Sequence, residues 1–323
     1  MTIAEVGRRI TVVRDDVVAA YERIVGLVER TPLIESEVAG IPIWFKCECL
    51  QTGSSFKLRG ASNRLAQLSL EQRERGVVAF SSGNHARGVA IAARRLGIRA
   101  TIVMPSDAPA VKVDGTRAEG ADILFYDRLT ENREAIADRI AQESGATVVP
   151  SFDDPMIVAG QGTVGLEILE QMRETPTRIV VPCGGGGLAS GIALACPDAE
   201  IAVVEPEGWD DMRRSLEGGA IVPVPPGAPP TSCDALQTLR VSPMTFGILR
   251  DRGAQAVSVS EAEVAEAVRF AWERHQLRVE PGGAVALAAL LAGKLAPKKG
   301  TVAVLSGGNV DPALHARIVG ESA

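Results

Sequence analysis

The chain has little of several residue types on which common binding sites depend. Only 4% of its 323 residues are aromatic, and its three histidines lie far apart, at positions 85, 275 and 315. Such wide separation argues against a histidine-rich metal centre. Lysine and arginine form no block and the net charge is −6, so nothing favours binding to nucleic acid or to an anionic membrane.

Long apolar runs and paired cysteines are also missing. No run of about 18 apolar residues occurs, so we expect no membrane span, and the N-terminal MTIAEVGRRITVV has no apolar core of signal-peptide length. The five cysteines, at 47, 49, 183, 196 and 233, are odd in number and scattered, which favours reduced thiols in a cytoplasmic protein. No second Cys or His pair accompanies Cys47 and Cys49, so we interpret these two as small buried residues rather than part of a zinc site.

Short β-branched runs alternate with longer amphipathic segments, in a chain long enough for two domains. Such alternation predicts an α/β fold with parallel strands and helical crossovers. The predicted strands are Ile43–Cys47, Val77–Phe80, Ala100–Val103, Asp122–Phe125, Thr147–Val149, Arg178–Val181, Glu200–Val204 and Thr301–Leu305. The predicted helices include Arg87–Leu96, Glu131–Glu143, Gly165–Met172, Glu261–Arg274 and Ala284–Ala292. The proline-rich segment Val222–Ser232 is predicted to be a loop.

Lys57 stands out among only six lysines. It follows a Ser/Gly turn and Phe56, and it precedes a basic helix start. Small residues and an aromatic ring around a lone amine lower its pKa by desolvation, which favours a lysine able to form an imine. The alternative is a surface lysine at a helix N-terminus.

Three glycine-containing turns follow predicted strands, where a parallel sheet places its ligand groups. The first, Phe80-Ser-Ser-Gly-Asn-His-Ala-Arg-Gly88, offers hydroxyls and an amide, or simply a helix cap. The second, Pro182-Cys-Gly-Gly-Gly-Gly-Leu-Ala-Ser190, has the consecutive N–H groups of a phosphate-binding turn. The third, Leu305-Ser-Gly-Gly-Asn-Val-Asp311, could present the Ser306 hydroxyl to a ring heteroatom, or could be an ordinary turn.

Two further segments permit opposing interpretations. Gly160-Gln-Gly-Thr-Val-Gly165 matches the dinucleotide-binding pattern, but no strand precedes it and no acid follows at the required distance. We therefore interpret it as a site of close helix packing. Glu205-Pro-Glu-Gly-Trp-Asp-Asp211 could hold a hard cation through oxygen atoms, or could be an acidic turn that caps the next helix.

Taken in order, these motifs resemble the fold-type II pyridoxal-phosphate enzymes, which share the architecture of the tryptophan synthase β subunit. Within them the chain is similar to the serine/threonine dehydratase and serine racemase family, from Thr31 to about Asp311. The resemblance implies a large domain of residues 1–75 and 152–323 and a small mobile domain of residues 76–151, with the cofactor between them. It also implies a cytoplasmic homodimer that acts on a small amino acid.

The resemblance assigns roles to individual residues. Lys57 would carry the cofactor covalently and act as the catalytic base. The remaining cofactor contacts would be Phe56 on the ring, Asn84 at the ring hydroxyl, Gly184, Gly185, Gly186 and Gly187 at the phosphate, and Ser306 at the ring nitrogen. The substrate carboxylate would meet Ser81, Ser82, Asn84 and His85. A structural magnesium or calcium ion would be held by Glu205, the Trp209 carbonyl and Asp211.

The implied activity is an ammonia-lyase reaction on L-threonine or L-serine, which yields a 2-oxo acid and ammonia. Serine racemase, with Ser82 as a second base, and 3-hydroxyaspartate dehydratase are the alternatives, and a β-replacement synthase is a more distant one. The chain departs from the family pattern at the extra Ser in T-G-S-S-F-K, at Arg87 where Gln is usual, and in the segment from Thr231 to Thr238. These departures leave the substrate open.

Overall fold

The computed structural model describes residues 12–108 and 110–320, so most of the segment tested for a signal peptide lies outside the described residues. The strands are β1 Leu33–Val38, β2 Ile41–Lys46, β3 Val77–Phe80, β4 Ala100–Pro105, β5 Asp122–Tyr126, β6 Thr147–Val148, β7 Arg178–Pro182, β8 Glu200–Pro206, β9 Gln255–Val259 and β10 Thr301–Val304. The helices are α1 Arg14–Arg23, α2 Lys57–Ala66, α3 Leu70–Arg75, α4 Asn84–Leu96, α5 Ala110–Arg117, α6 Arg133–Ser144, α7 Pro155–Gln171, α8 Gly187–Ala195, α9 Asp211–Gly218, α10 Pro243–Asp251, α11 Glu261–His275, α12 Pro281–Leu291 and α13 Pro312–Val319.

The strands form two sheets, which confirms the α/β class. The larger sheet has the order β1-β2-β10-β7-β8-β9, and the smaller has the order β5-β4-β3-β6. Every strand of the smaller sheet falls within the range predicted for the small domain. That the two parts are separate domains, and that the small one is mobile, stay predictions.

All pairings are parallel except that of β1 with β2, which the alternation of strands and helices did not predict. The connection from β1 to β2 is only two residues long, Ala39 and Gly40, and both have positive φ angles. A connection this short can join only antiparallel strands. The strands β1 and β9 were missed because their sequences, LIESEV and QAVSV, contain no continuous apolar run.

The prediction for α7 began ten residues too late. The helix starts at Pro155, and the Asp154 carboxylate accepts hydrogen bonds from the N–H groups of Met156 and Ile157 at 2.7 and 3.1 Å. An Asp followed by Pro at the first helical position is a strong start signal. The glycines at 160, 162 and 165 match a nucleotide-binding pattern, and this match obscured the helix start at Pro155.

The glycines of α7 confirm close helix packing. A Cβ atom on Gly160 would lie 2.6 Å from Cα of Gly60 in α2, and one on Gly162 would lie 2.7 Å from the carbonyl oxygen of Gly191 in α8. Gly165 would meet Cβ of Ala195 at 2.7 Å. Backbones therefore touch directly where α7 crosses α2 and α8, and larger residues would force the helices apart.

A buried ion-pair network lies under α2. Arg59 donates to Glu48 at 2.8 Å and to Glu167 at 2.6 Å, and Lys46 donates to the other oxygen of Glu167 at 2.5 Å. These four side chains are almost completely inaccessible to solvent. Burial acts to raise the pKa of Glu48, but the Arg59 guanidinium outweighs it and holds the pKa below the usual value.

The helices and the cysteines bear on whether the chain could cross a membrane or form disulfides. Within the described part of the chain, no helix has both the length and the apolar composition that a bilayer crossing requires. All five cysteines are buried free thiols, Cys47 and Cys49 among them.

Replacing Arg59 by Met should lower the free energy of unfolding by about 3 to 5 kcal/mol, because two buried carboxylates would be left with Lys46 alone. Urea unfolding monitored by fluorescence would measure the loss. The matched control is Arg75→Met, which breaks the exposed pair of Arg75 with Glu71 and should cost less than about 1 kcal/mol. Equal losses in the two variants would contradict a stabilising role for the network.

Candidate active site

The loop that carries Lys57 is held against the loop that follows β10. The N–H of Phe56 donates to the carbonyl of Ser306 at 3.2 Å, and the N–H of Gly308 donates to the carbonyl of Ser54 at 2.8 Å. Ser54 and Gly53 both have positive φ angles, which turn the chain tightly just before α2. The first and last motifs of the sequence are therefore neighbours.

Lys57 begins α2, and its side chain is half-buried rather than free in solvent. Its Nζ donates to the carbonyl of Ser151 at 3.0 Å and lies 5.1 Å from the centre of the Phe56 ring. Desolvation lowers the pKa of Lys57 to about 8, although the nearby Glu280 carboxylate acts in the opposite direction. A large part of the amine is thus uncharged at mildly alkaline pH, as imine formation requires.

Asn84 contacts a carboxylate that the sequence did not point to. Its Nδ2 donates to Oε1 of the buried Glu280 at 2.5 Å. Burial raises the pKa of Glu280 to about 7, and Asp234 adds to the rise, while Asn84, Lys112 and Lys57 oppose it. Glu280 precedes Pro281 at the start of α12 but makes no capping hydrogen bond with its side chain, so its carboxylate is available to Asn84.

A second amide links Asn84 to the loop after β10. Nδ2 of Asn309 donates to Oδ1 of Asn84 at 2.7 Å and to the carbonyl of Gly53 at 2.8 Å. The Arg87 guanidinium donates to Oδ1 of Asn309 at 2.9 Å. This chain of hydrogen bonds fixes the rotation of the Asn84 amide, so that its N–H group faces Glu280.

The four-glycine turn lies between β7 and α8 and has no room for side chains. A Cβ atom on Gly185 would lie 2.3 Å from the Phe152 ring, and one on Gly184 would lie 3.0 Å from Oγ1 of Thr238. Gly186 has φ +84 and caps α8. The first N–H groups of a helix have no acceptor within it, so the turn and the N-terminus of α8 together suit an anion.

The Ser-Ser-Gly-Asn-His segment forms the N-terminus of α4. The hydroxyl of Ser81 accepts from the N–H of Gly83 at 3.2 Å, and Ser82 is partly exposed. His85 is buried, and its Nε2 lies 2.8 Å from the carbonyl of Val149. Burial, with Lys57 nearby, lowers the pKa of His85 to about 3, so this imidazole is neutral at physiological pH.

The acidic turn after β8 brings Glu205 and Asp211 together in the interior. The Glu205 carboxylate accepts from the N–H groups of Met212 and Arg213 at 2.9 and 2.8 Å. Neither carboxylate oxygen of the buried Asp211 has a hydrogen-bond partner, and burial raises its pKa to about 7. The Trp209 side chain points elsewhere, since its Nε1 donates to the carbonyl of Pro229 at 2.8 Å.

Comparison with known proteins decides which chemistry this arrangement serves. The family model described as "Pyridoxal-phosphate dependent enzyme" matches residues 24–307. The chain belongs to this family. It is therefore a pyridoxal-phosphate dependent enzyme, as the resemblance of its motifs implied.

Individual relatives cover almost the whole chain. An L-threo-3-hydroxyaspartate ammonia-lyase from Pseudomonas sp is 44% identical over 94% of this chain and 97% of its own length. An L-threonine ammonia-lyase from Thermotoga maritima is 41% identical over 94% of this chain and 77% of its own length. The solved structure of maize serine racemase superposes with a TM-score of 0.90 at 37% identity, covering 95% of this chain and 96% of that one.

The residues present fit pyridoxal phosphate on three observations. The amine of Lys57 has a lowered pKa and can form an imine. The turn from Gly184 to Gly187 has no room for side chains and leads into the N-terminus of α8, whose first N–H groups have no acceptor within the helix and can bind a phosphate. The buried Ser306 follows β10 and neighbours Phe56 through the backbone. Which of these residues touches the cofactor stays a prediction.

Sequence reasoning missed Glu280, Asn309 and Phe152. A usable signal for Glu280 was its place directly before Pro281 and the apolar segment that follows. Proline favours a helix start there, and a helix that is apolar on all sides is buried, so the glutamate at its start would be drawn into the interior. Asn309 lay within a motif already singled out, but its partner Asn84 is 225 positions away. No local pattern marks Phe152, whose role follows only from its contact with Gly185.

The rate at which the cofactor-free enzyme captures pyridoxal phosphate should rise with pH around a midpoint of about 8, because only the neutral Lys57 amine reacts. Glu280→Gln should move this midpoint to lower pH, since it removes the negative charge that raises the Lys57 pKa. Stopped-flow absorbance would measure both midpoints, with the distant Glu143→Gln as the control. An unchanged midpoint in Glu280→Gln would contradict the electrostatic coupling of the two residues.

Proposed function

We propose that this enzyme is an ammonia-lyase for a β-hydroxy α-amino acid, which it converts by α,β-elimination to a 2-oxo acid and ammonia. The single observation that carries the proposal is the placement of the Lys57 amine. It lies at the start of α2, near the buried Glu280, with a pKa lowered to about 8. An amine of this kind can take up a proton from carbon at neutral to alkaline pH.

Different residues of the site would bind the cofactor and the substrate. Backbone N–H groups from Gly184 to Gly187 would hold the cofactor phosphate, Phe56 would lie against the ring, and Asn84 would bind the ring hydroxyl. The N-terminus of α4, with Ser81, Ser82, Asn84 and His85, attracts the substrate carboxylate through the positive end of the helix dipole. Because His85 stays neutral, it adds a dipole but no charge there.

The bound cofactor supplies an electron sink for the charge that develops at Cα of the substrate. Nζ of Lys57 would accept the Cα proton and pass a proton to the β-hydroxyl group, so that the Cβ–O bond would break and the group would leave as water. Water then hydrolyses the resulting enamine and releases ammonia. A Ser306 hydroxyl at the ring nitrogen would be a weaker partner than a carboxylate, which would favour elimination over transamination.

L-Threonine, L-serine and 3-hydroxyaspartate differ in the groups that they carry on Cβ, and the enzyme must distinguish them there. L-Threonine and L-serine are implied by the resemblance to the serine/threonine dehydratase family. The relative that is 44% identical is named for L-threo-3-hydroxyaspartate, which supports testing the dicarboxylic amino acid beside the other two. A β-replacement synthase is less well supported, since those enzymes usually have Thr where His85 follows Asn84.

Serine racemase is the second candidate, and the maize enzyme with a TM-score of 0.90 supports it. Racemisation needs a second base on the face of the substrate opposite Lys57. Ser82 is partly exposed at the N-terminus of α4, and the hydroxyl of a serine there could serve.

A magnesium or calcium ion at the turn after β8 is also part of the proposal. Asp211 has two buried oxygens without partners, and a hard cation would satisfy them together with Glu205 and the Trp209 carbonyl. Among residues 12–108 and 110–320, no group of three or more His, Cys, Asp and Glu side chains is placed to hold a metal. The proposed site therefore depends on the backbone carbonyl as its third protein ligand.

We further propose a cytoplasmic homodimer without nucleic-acid or membrane partners. The five free, buried thiols support a reducing compartment. Light scattering of the purified enzyme would measure the mass, and a monomer would overturn the assembly.

The purified yellow enzyme should release 2-oxo acid from one of L-threonine, L-serine and L-threo-3-hydroxyaspartate, and Lys57→Ala should lower kcat at least about 1000-fold, as expected when a catalytic base and nucleophile is lost. Coupled assay of 2-oxo acid and ammonia would measure both. Release of no 2-oxo acid from any of the three would overturn the ammonia-lyase proposal.

Ser82→Ala should abolish D-amino acid formation while sparing elimination from the L-substrate, as chiral chromatography would detect.

Added Mg²⁺ or Ca²⁺ should raise the thermal midpoint of the enzyme by about 2 °C or more at saturating concentration, because the ion binds only the folded state. Asp211→Asn should remove this rise, whereas Glu217→Gln, an exposed change on the same helix, should keep it. Differential scanning fluorimetry with and without chelator would measure the effect. An identical response in all three proteins would argue against the site.

A further inference from the structure

In the described part of the chain, one ion pair joins residues 76–151 to the rest of the structure. Lys112 lies on α5, between β4 and β5 of the smaller sheet, and Asp234 begins a short 3₁₀ turn, Asp234–Leu236, that belongs with the larger sheet. The Lys112 ammonium donates directly to the Asp234 carboxylate. Each of the other ion pairs in the described part of the chain stays within residues 76–151 or within the rest.

The segment that carries Asp234, residues 231–238, is fixed at one end. Oγ1 of Thr231 donates to one oxygen of Glu261 at 2.6 Å, and Oγ of Ser232 donates to the other at 2.5 Å. Glu261 is the first residue of α11. The beginning of the 231–238 segment is therefore anchored to the larger part of the enzyme.

Its other end rests on the glycine turn. A Cβ atom on Gly184 would lie 3.0 Å from Oγ1 of Thr238 and 3.3 Å from Cα of Leu236, and one on Gly282 would lie 3.2 Å from the Leu236 side chain. The same short turn thus contacts the proposed phosphate site and the start of α12, directly after Glu280. The Asp234 carboxylate raises the pKa of Glu280 and the Lys112 ammonium lowers it, so both charges of the pair act on the carboxylate that Asn84 contacts.

We propose that Lys112 and Asp234 are positioning residues whose ion pair couples closure of the small domain to the placement of the 231–238 segment over the glycine turn. This inference rests on the predicted mobility of the small domain, residues 76–151, and it rests on the proposed function for its substrate readout. When α5 approaches, Lys112 holds Asp234, and Leu236 and Thr238 stay pressed against Gly184. When the pair is broken, the segment loses its contact with α5, so both substrate binding and cofactor retention weaken.

Lys112→Met and Asp234→Asn should each raise KM by up to about 5-fold with a smaller change in kcat, the range expected for a partly exposed ion pair. Each should also speed cofactor release from the diluted holoenzyme, followed by absorbance. The double variant Lys112→Met/Asp234→Asn should be no worse than either single one, because the coupled interaction is lost once. The charge exchange Lys112→Asp/Asp234→Lys should recover part of both effects.

Lys298→Met is the matched control, since it removes an ion pair with Glu200, the first residue of β8. Both residues of this pair belong to the larger part of the enzyme. The variant should change neither KM nor cofactor release. Salt of about 0.5 M should weaken wild-type cofactor retention toward that of Lys112→Met, and should leave that variant unchanged. Thermal unfolding and circular dichroism would identify a variant that fails to fold, and Lys112→Arg then provides a conservative replacement that should keep both properties.

Wild-type values of KM and cofactor release in both single variants would overturn the inference. Additive losses in the double variant would do so too, because they would mean that each residue acts alone. If wild-type enzyme shows no elimination on any substrate, the proposed function fails, but cofactor release still decides the role of the pair.

Discussion

The buried Arg59–Glu48–Glu167–Lys46 network is the constraint on which the site depends. It joins β2, α2 and α7 in a region without solvent. Arg59 lies two residues after Lys57, so the helix that presents the reactive amine is held from below by buried charges that are paired with one another and hydrogen-bonded to the hydroxyl and carbonyl of Thr31. Ionic groups at this depth tolerate little displacement, because any separation leaves a charge unpaired at high cost.

The candidate active site combines groups from distant parts of the chain. The carboxyl ends of β3, β7 and β10 lead into the three glycine-containing turns, and Glu280 arrives at the start of α12. Within the larger sheet, the parallel strands β7 and β10 bring their turns to one edge regardless of their separation in sequence. The turn after β3 belongs to the smaller sheet, and the hydrogen bonds of Asn84 with Glu280 and Asn309 connect it to α12 and to the loop after β10. The fold therefore determines which motifs meet, and the side chains then determine what they can bind.

Much of the fold and part of the site could be predicted from the sequence, for reasons visible in particular residues. Buried strands such as β7 and β10 have continuous apolar sequences, which predicted them. The glycine-containing motifs lie in the turns that follow these strands. The partly exposed strands β1 and β9 lacked a continuous apolar run. Glu280, Asn309 and Asp234 could not be placed, since their contacts join residues up to 225 positions apart, and no local pattern encodes such pairs.

The glycines of α7 have a consequence for how accurately the site can be built. Where Gly160 meets Gly60 and Gly162 meets Gly191, the separation of the helices is set by backbone atoms in contact. Side chains change rotamer and fluctuate in volume, but backbone atoms in contact leave no such slack. The spacing between the helix that begins with Lys57 and the helix that begins at the glycine turn is thus a fixed length, independent of how the surrounding core repacks.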